Sequence, residues 1–501
     1  MYELVIRGAS VIDGLGGESY ISDVAISDGK IAALGQNLTA KEYIDAKGLT
    51  VTPGFIDSHS HSDSTVISHP DQREKVEQGI TYSITGQCGG SAAPYIDKNS
   101  GGIVTVSEFF RRISEIPQGS GSSMLIGHNT IRRCAMGSEN REPTALELEK
   151  MKQLLRDGLS AGAIGMSLGL FYTPGSYAKE DELIALTKIV AEHGGIIAAH
   201  IRDENDRVIE AVEEFLRVIR ASGCRAVFSH HKATEVQNYG KVKTTLALID
   251  DANRDGFEIY LDVYPYCASS TTLMSRFVPG FMHPKGTTSA VSLLEDEAFC
   301  ERLKKWGYEK WKYDLGFTLI TDYSHNKDYE GKNLNEIAKM RGDENPYDSV
   351  IAMLRDSGGK ATACYFTMNE EDVRYIIAHP HSMICTDSSV KRSADRFHPR
   401  LVASFPRAIR RFVRELPTVP LTEMIRKMTS LPAKVYGLNT KGVIREGMDA
   451  DLCIFDAEKL SDKADFVNCT AKNEGLNYVI VGGKIVLKDG VYNGIRAAWA
   501  K

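Results

Sequence analysis

No stretch of this 501-residue sequence approaches the roughly 20 consecutive apolar residues that cross a bilayer, so a membrane span is not expected. The N-terminal MYELVIRGASVIDG lacks the charged-then-apolar layout of a secretory leader and reads as folded protein from the start. No block of basic residues occurs. Sixty Lys and Arg face 66 Asp and Glu, a net charge of −6, which leaves no electrostatic footprint for nucleic acid. The nine cysteines are odd in number and without framework spacing, which fits a reducing cytoplasm better than a disulfide scaffold. With 42% hydrophobic and 25% charged residues, the chain is neither disordered nor fibrous. No heptad or other interface pattern is readable, so assembly into a homo-oligomer stays open.

What is present falls into three textures. The first fifty residues alternate short β patterns with Gly, Asp and Asn turns (LVIRGASVID, DVAISDGKIAALG, LTVTPGFID), and the last sixty repeat that texture (GVIREGMDADLCIFD, YVIVGGKIVLKDGVY). Each end alone offers too few strands to be stable, so one sheet built from both ends is expected. Between them, short apolar runs alternate with helical patterns, the signature of a parallel sheet with crossover helices. The run GGIIAAH precedes DRVIEAVEEFLRVIRASG, whose Val208, Ile209, Val212, Phe215, Leu216 and Ile219 lie at helical spacing before Gly223. Seven or eight such units predict an α/β fold, a closed (β/α)8 barrel over residues 55–435, with a small β-sandwich domain from residues 1–54 and 436–501. A doubly wound open sheet is the alternative. Residues 275–345 break the rhythm, carry two Trp, and read as either a lid or a helical surface decoration.

The polar residues at the predicted strand ends carry the chemistry, because loops there converge on one mouth of such a barrel. His59 and His61 follow TPGFID, Cys88 follows YSIT, His200 follows IIAA, His230 follows AVFS, and Asp387 follows MICT. Residues two apart on a strand share a side, so His59 and His61 can reach one ion. Glycines beside Cys88 let a backbone approach an ion, and thiolate with imidazole is a donor set typical of zinc. An aspartate at a strand end is often only a helix cap; in a metal mouth Asp387 can ligate weakly and accept a proton. By alternation His231 points away from the mouth, and His128 is a lesser candidate to line it.

These residues sit in stretches that resemble the amidohydrolase superfamily, and within it the N-acyl-D-amino-acid deacylases (D-aminoacylases). The matching stretches are GFIDSHSHSD, GQCGGS, GLFYTPGSY, AAHIRDE, SHHK, DVYPYCASST, CTDSS, HPRLVASFPR and GMDADLCIFD, in order across nearly the whole chain. The resemblance implies a barrel flanked by a β-sandwich, with tightly bound Zn2+ on Cys88, His200 and His230. His59, His61, the bridging Cys88 and Asp387 would form a second, weaker metal site. Asp387 would be the catalytic acid/base, and Tyr172, Lys232, Tyr264 and Arg400 would hold a small-molecule N-acyl amino acid and its carboxylate. Gln87 replaces a common Asn, and Ser388 a common Gly, which leaves substrate choice open. Cyclic-amide hydrolysis, dipeptide hydrolysis and a non-catalytic relative remain the alternatives.

Overall fold

A computed structural model describes residues 1–283, 286–390 and 396–498, with the side chains of 286–289 set aside. Eight parallel strands form its centre. We number them β1 (Phe55–Asp57), β2 (Ile80–Thr85), β3 (Gly121–Met124, running on through Ile126–Gly127), β4 (Gly165–Gly169), β5 (Ile196–His200), β6 (Arg225–Phe228), β7 (Ile259–Val263) and β8 (Ser382–Ile384). Each pairs with the next in sequence order. The ring closes beyond the ends of β8 and β1, where Ser60 bridges Ser388 in parallel and the Asp387 amide donates to the His59 carbonyl at 2.9 Å. The closed barrel, not the open sheet, is therefore the architecture.

The helix expected after β5 spans Val208–Ser222 and ends on Gly223 at φ 68°, the left-handed C-terminal stop that glycine allows. Its apolar stripe, with Val212, Phe215, Leu216 and Ile219 fully buried, packs into the barrel's outer core. The next unit follows the same rule, with Lys241–Arg254 helical before β7.

Both chain ends enter one nine-stranded sheet. The join is the antiparallel pairing of Thr50–Pro53 with Leu452–Phe455. Alternation along the C-terminal strands explains why both faces are covered. Leu452, Ile454 and Ile480 pack with Leu4, Ile6 and Val24, while Cys453, Phe455, Val479 and Val481 turn towards the barrel. Phe55 at the start of β1 meets Phe405 and Phe455 with ring centroids 5.6 and 6.2 Å apart, fixing the barrel against the sheet.

The irregular segment is broader than its sequence pattern suggested. It begins at Ser269–Thr272 and returns at Thr362–Tyr365, and these pair antiparallel with each other and with Thr318–Asp322. The polar SSTT carries no apolar alternation, which hid the first strand. A separate apolar core, including Leu273, Phe277, Leu303, Tyr347 and Leu354, makes the insertion a small packed unit. Residues 284–285 of the expected 275–345 range lie outside the described residues.

Beneath the barrel mouth, Lys75 and Asp57 form a fully buried ion pair at 2.6 Å. Asp57 also accepts from the Thr386 amide (2.8 Å) and hydroxyl (2.7 Å), so one carboxylate ties β1 to the loop after β8. Removing one partner of such a pair strands a buried charge. Lys75→Met is expected to lower unfolding free energy by roughly 3–5 kcal/mol in chemical denaturation. A loss under about 1 kcal/mol would show that the tie does not matter to stability.

Candidate metal centre

Five barrel strands end at the same rim and deliver six donors to it. His59, His61, Cys88 and Asp387 bring one ligand atom each within 4.8 Å of one another, and so do Cys88, His200 and His230. Cys88 is common to both groups. Its Sγ lies 3.3 Å from His59 Nε2, 3.3 Å from His230 Nε2 and 3.7 Å from His200 Nδ1. Tetrahedral zinc bonds of ~2.3 Å to sulfur and ~2.0–2.1 Å to nitrogen place neighbouring S and N donors about 3.5 Å apart. The spacings are thus those of donors sharing one ion. Asp387 Oδ1 lies 3.1 Å from His61 Nε2 and 3.5 Å from His59 Nε2.

The backbone is bent to make this arrangement. Cys88, His230 and Asp387 take left-handed φ of 52°, 35° and 46°, which non-glycine residues rarely adopt and which cluster at functional sites. Glycines make the room. A Cβ on Gly86 would lie 2.0 Å from the Leu125 carbonyl oxygen, and one on Gly169 would lie 2.0 Å from that of Cys88.

Charge within the site is strongly coupled. Burial opposes ionisation of Cys88, but His59 and His230 outweigh it and hold the thiol well below its ordinary pKa. Burial likewise opposes charge on His59 and His61. Asp262 and Cys88 nevertheless raise His59 well above the usual imidazole range, and Asp387 and Cys88 push His61 up to about 9. Asp387 is desolvated, yet Arg400 and His230 hold it well below the usual carboxylate range. A thiol and a carboxyl group held low in pKa thus face His59 and His61 imidazoles held high.

The expected substrate-binding residues line the same cleft, of about 360 Å³. Lys232 Nζ is 2.7 Å from Glu204 Oε1 and 2.6 Å from His230 Nδ1. Arg400 reaches Asp387 Oδ2 at 2.8 Å. The Tyr264 ring has the Arg400 guanidinium 4.7 Å and the Lys232 ammonium 5.5 Å from its centroid. Tyr172 sets its ring 4.9 Å from that of His200. His231 points away, 2.8 Å from Thr245 Oγ1, with burial and Lys232 driving its pKa down to about 3. His128 does not line the cleft: it is fully buried, 2.7 Å from Glu182, which also pairs with Arg132. A buried structural network claims it.

Two supporting acids escaped the sequence reading. Glu204 lies 3.1 Å from His230 Nδ1 and 3.7 Å from His200 Nε2. Despite its burial, His200 and Lys232 lower its pKa. Asp262, fully buried inside β7, accepts from the His230 amide at 2.6 Å and stands 3.4 Å from His59 Nδ1. Carboxylates behind ligating imidazoles orient the rings and raise their basicity. The signals were a Glu four residues after His200 and a charge within the apolar run IYLDV.

The model of the amidohydrolase family matches residues 42–487. The chain belongs to that family. N-acyl-D-glutamate deacylase of Alcaligenes xylosoxydans xylosoxydans is 35% identical over 494 residues, covering 96% of this chain and 93% of its own. A solved D-aminoacylase with a binuclear metal centre, described by one-metal activation and second-metal attenuation, aligns with a TM-score of 0.86 at 33% identity and 99% coverage of both chains. The N-acyl-D-glutamate deacylase of Bordetella bronchiseptica, solved with zinc and a phosphonate mimic of the tetrahedral intermediate, gives a TM-score of 0.86 at 33% identity, covering 100% and 99%.

His61, pushed up to about 9, and His59, held well above the usual imidazole range, must give up a proton to ligate, so zinc affinity at the second site they would form is expected to rise with pH up to about 9 and to fall below it. Calorimetry at pH 7 in buffers of different ionisation enthalpy should register about one to two protons released as a second zinc follows the first. Release of none would contradict the place of His59 and His61 in that site. In addition, Gly169→Ala should weaken zinc binding by pushing the Cys88 backbone.

Proposed function

We propose that the protein is a zinc-dependent hydrolase that cleaves the N-acyl amide bond of N-acyl-D-amino acids, releasing a carboxylate and a free D-amino acid. One observation carries this reading: a half-buried cysteine, its pKa held low, ringed by three imidazoles at ligand-edge spacing with an acidic carboxylate alongside. Full-length relatives with this chemistry support it. In this reading Cys88, His200 and His230 hold the tight zinc. His59 and His61, sharing Cys88 and with Asp387 adjacent, form the weaker site.

Zinc bound here supplies Lewis-acid chemistry, lowering the pKa of water and polarising the acyl carbonyl. The rest falls to the chain's own groups. Asp387, kept ionised, takes the proton of the attacking water on a carboxylate oxygen. It then returns that proton to the departing amine nitrogen, a poor leaving group until protonated. Arg400, Lys232 and Tyr264 bring two cations and a phenol to one wall, a set suited to the substrate's free carboxylate. Tyr172, with its ring 4.9 Å from that of His200, would also position the substrate. The D configuration rests on the relatives rather than on a contact in this chain.

Two further elements belong to this reading. Residues 1–54 and 436–501 act as one terminal β-sandwich domain around the catalytic barrel of 55–435, with the insertion as its lid. Nine cysteines, an odd number without framework spacing, suit a reducing cytoplasm.

Asp387→Asn is expected to retain zinc and lose at least about 100-fold in kcat. Retention of more than a few per cent of activity contradicts its role. Cys88→Ala should lose zinc by elemental analysis. A screen of N-acyl-D- and N-acyl-L-amino acids with zinc-loaded protein tests the reading itself: hydrolysis of the D series supports it, and hydrolysis of neither series defeats it.

A further inference from the structure

The residue that follows His128 has no part in the chemistry above. Asn129 stands in the first turn of the helix His128–Met136, directly after β3, and is 2% exposed. It borders a cavity of about 300 Å³ that shares Cys88, Gly90, Phe171 and Tyr172 with the catalytic cleft. Its Nδ2 donates to the Gly169 carbonyl and to the Tyr172 carbonyl, each at 3.2 Å. Those carbonyls already accept from the amides of Tyr172 (3.1 Å) and Ser176 (2.9 Å), which shape the turn after β4. The Asn129 bonds are second bonds to carbonyls already satisfied within the turn, and they fasten that turn to a different element.

The same helix start holds the Cys88 loop by other means. The Thr130 amide donates to the Gly89 carbonyl at 3.2 Å, and the Thr130 hydroxyl accepts from the Ser91 amide at 3.0 Å. Packing leaves no slack between the segments. A Cβ on Gly89 would lie 2.5 Å from Asn129 Oδ1, and one on Gly175, just past Tyr172, 2.2 Å from the same atom. The helix start is itself anchored from behind, where His128 Nε2 and Arg132 Nη1 meet the two carboxylate oxygens of Glu182 at 2.7 and 2.9 Å. Glu182 belongs to Glu180–Glu192, the helix into which the Tyr172 loop runs. One buried helical turn thus fixes where Tyr172 stands relative to Cys88, and its grip on the Tyr172 turn is a single carboxamide.

We propose that Asn129 is the positioning residue of Tyr172: it sets the phenol-bearing turn beside the metal cluster without touching the reacting atoms. The inference rests on the deacylase reading and on the place of Tyr172 in it. The side-chain chemistry is specific. Two carbonyls three residues apart need two N–H donors on one short arm, which a primary amide supplies and a carboxylate of the same shape does not. The Tyr172 ring stands 4.9 Å from that of His200, so drift of the turn alters the geometry a bound substrate meets. A misplacement of about 1 Å can cost roughly 100-fold in rate.

The test is a double-mutant cycle on the zinc-loaded full chain, with the N-acetyl-D-amino acid that it hydrolyses fastest. Asn129→Ser is expected to keep its zinc, because the Thr130 main chain holds the Cys88 loop, and to lose about tenfold or more in kcat/KM. In a Tyr172→Phe background the same substitution should cost less than about threefold, since the phenol it positions is gone. Equal losses in the two backgrounds would make Asn129 a structural residue and overturn the proposal. Full activity of Asn129→Ser overturns it as well, and loss of zinc would show that the side chain serves Cys88 instead. Asn129→Asp, of nearly the same volume, should reproduce the loss; full activity of that variant, or failure of both variants to fold, also sinks the assignment. If Tyr172→Phe alone leaves kcat/KM unchanged, the proposal fails while the deacylase reading stands. Hydrolysis of no N-acetyl-D-amino acid by the unaltered protein would defeat the two together.

Discussion

A half-buried cysteine ringed by imidazoles is the constraint on which the site depends. His59 and His230 hold the Cys88 thiol well below its ordinary pKa against burial, and Cys88 in turn raises both imidazoles, with Asp262 acting on His59 and Asp387 on His230. No member of the cluster keeps its state alone. Desolvation opposes every charge in it, so the arrangement persists through mutual compensation and is completed by a divalent cation. Such a cluster cannot be loosened at one point without changing the protonation of its neighbours.

The barrel meets that constraint with rigid elements. Parallel strands set the origin of each donor, and short departures from regular geometry do the final aiming. Cys88, His230 and Asp387 all turn through left-handed backbone immediately after their strands, and β4 approaches the Cys88 carbonyl so closely that only Gly169 fits. Asp57 and Asp262 hold the rim from below: one joins β1 to the loop after β8, and the other reaches from β7 to His59 and the His230 amide. Strain at the mouth is therefore borne by a fully buried hydrogen-bonded floor.

How far this was legible in the sequence follows from the same physics. Candidate ligands at strand ends were readable because each closes an apolar run, so His200 after IIAA and His230 after AVFS stood out. The sheet from both termini was readable because alternation with glycine turns has few other interpretations. Glu204 was not separable, since it sits in IRDEND among other acids and only folding selects which one faces the metal cluster. Asp262 was masked by a strand whose apolar flanks look like ordinary core. His128 misled in the opposite direction: it too closes an apolar run, but Glu182, 54 residues on, captures it. Partners brought in from a distance are what local pattern cannot supply. The insertion's true limits were hidden likewise, because the polar strand SSTT becomes a strand only by pairing with Thr362–Tyr365.

The insertion shows why reactivity and selectivity can be separated in this architecture. Its aromatic core is distinct from the barrel's, so its packing does not depend on the ligand geometry. It touches the cleft through Ser269, Ser270, Thr271, Arg276 and Tyr365, none of which is a candidate metal ligand. Changes there can reshape what the cleft admits without disturbing the thiolate, the imidazoles or Asp387. The reverse does not hold, because every donor sits on a strand end shared with the barrel core. A fold divided in this way lets the insertion's wall of the cleft change without moving the donors, since the two are held by separate cores.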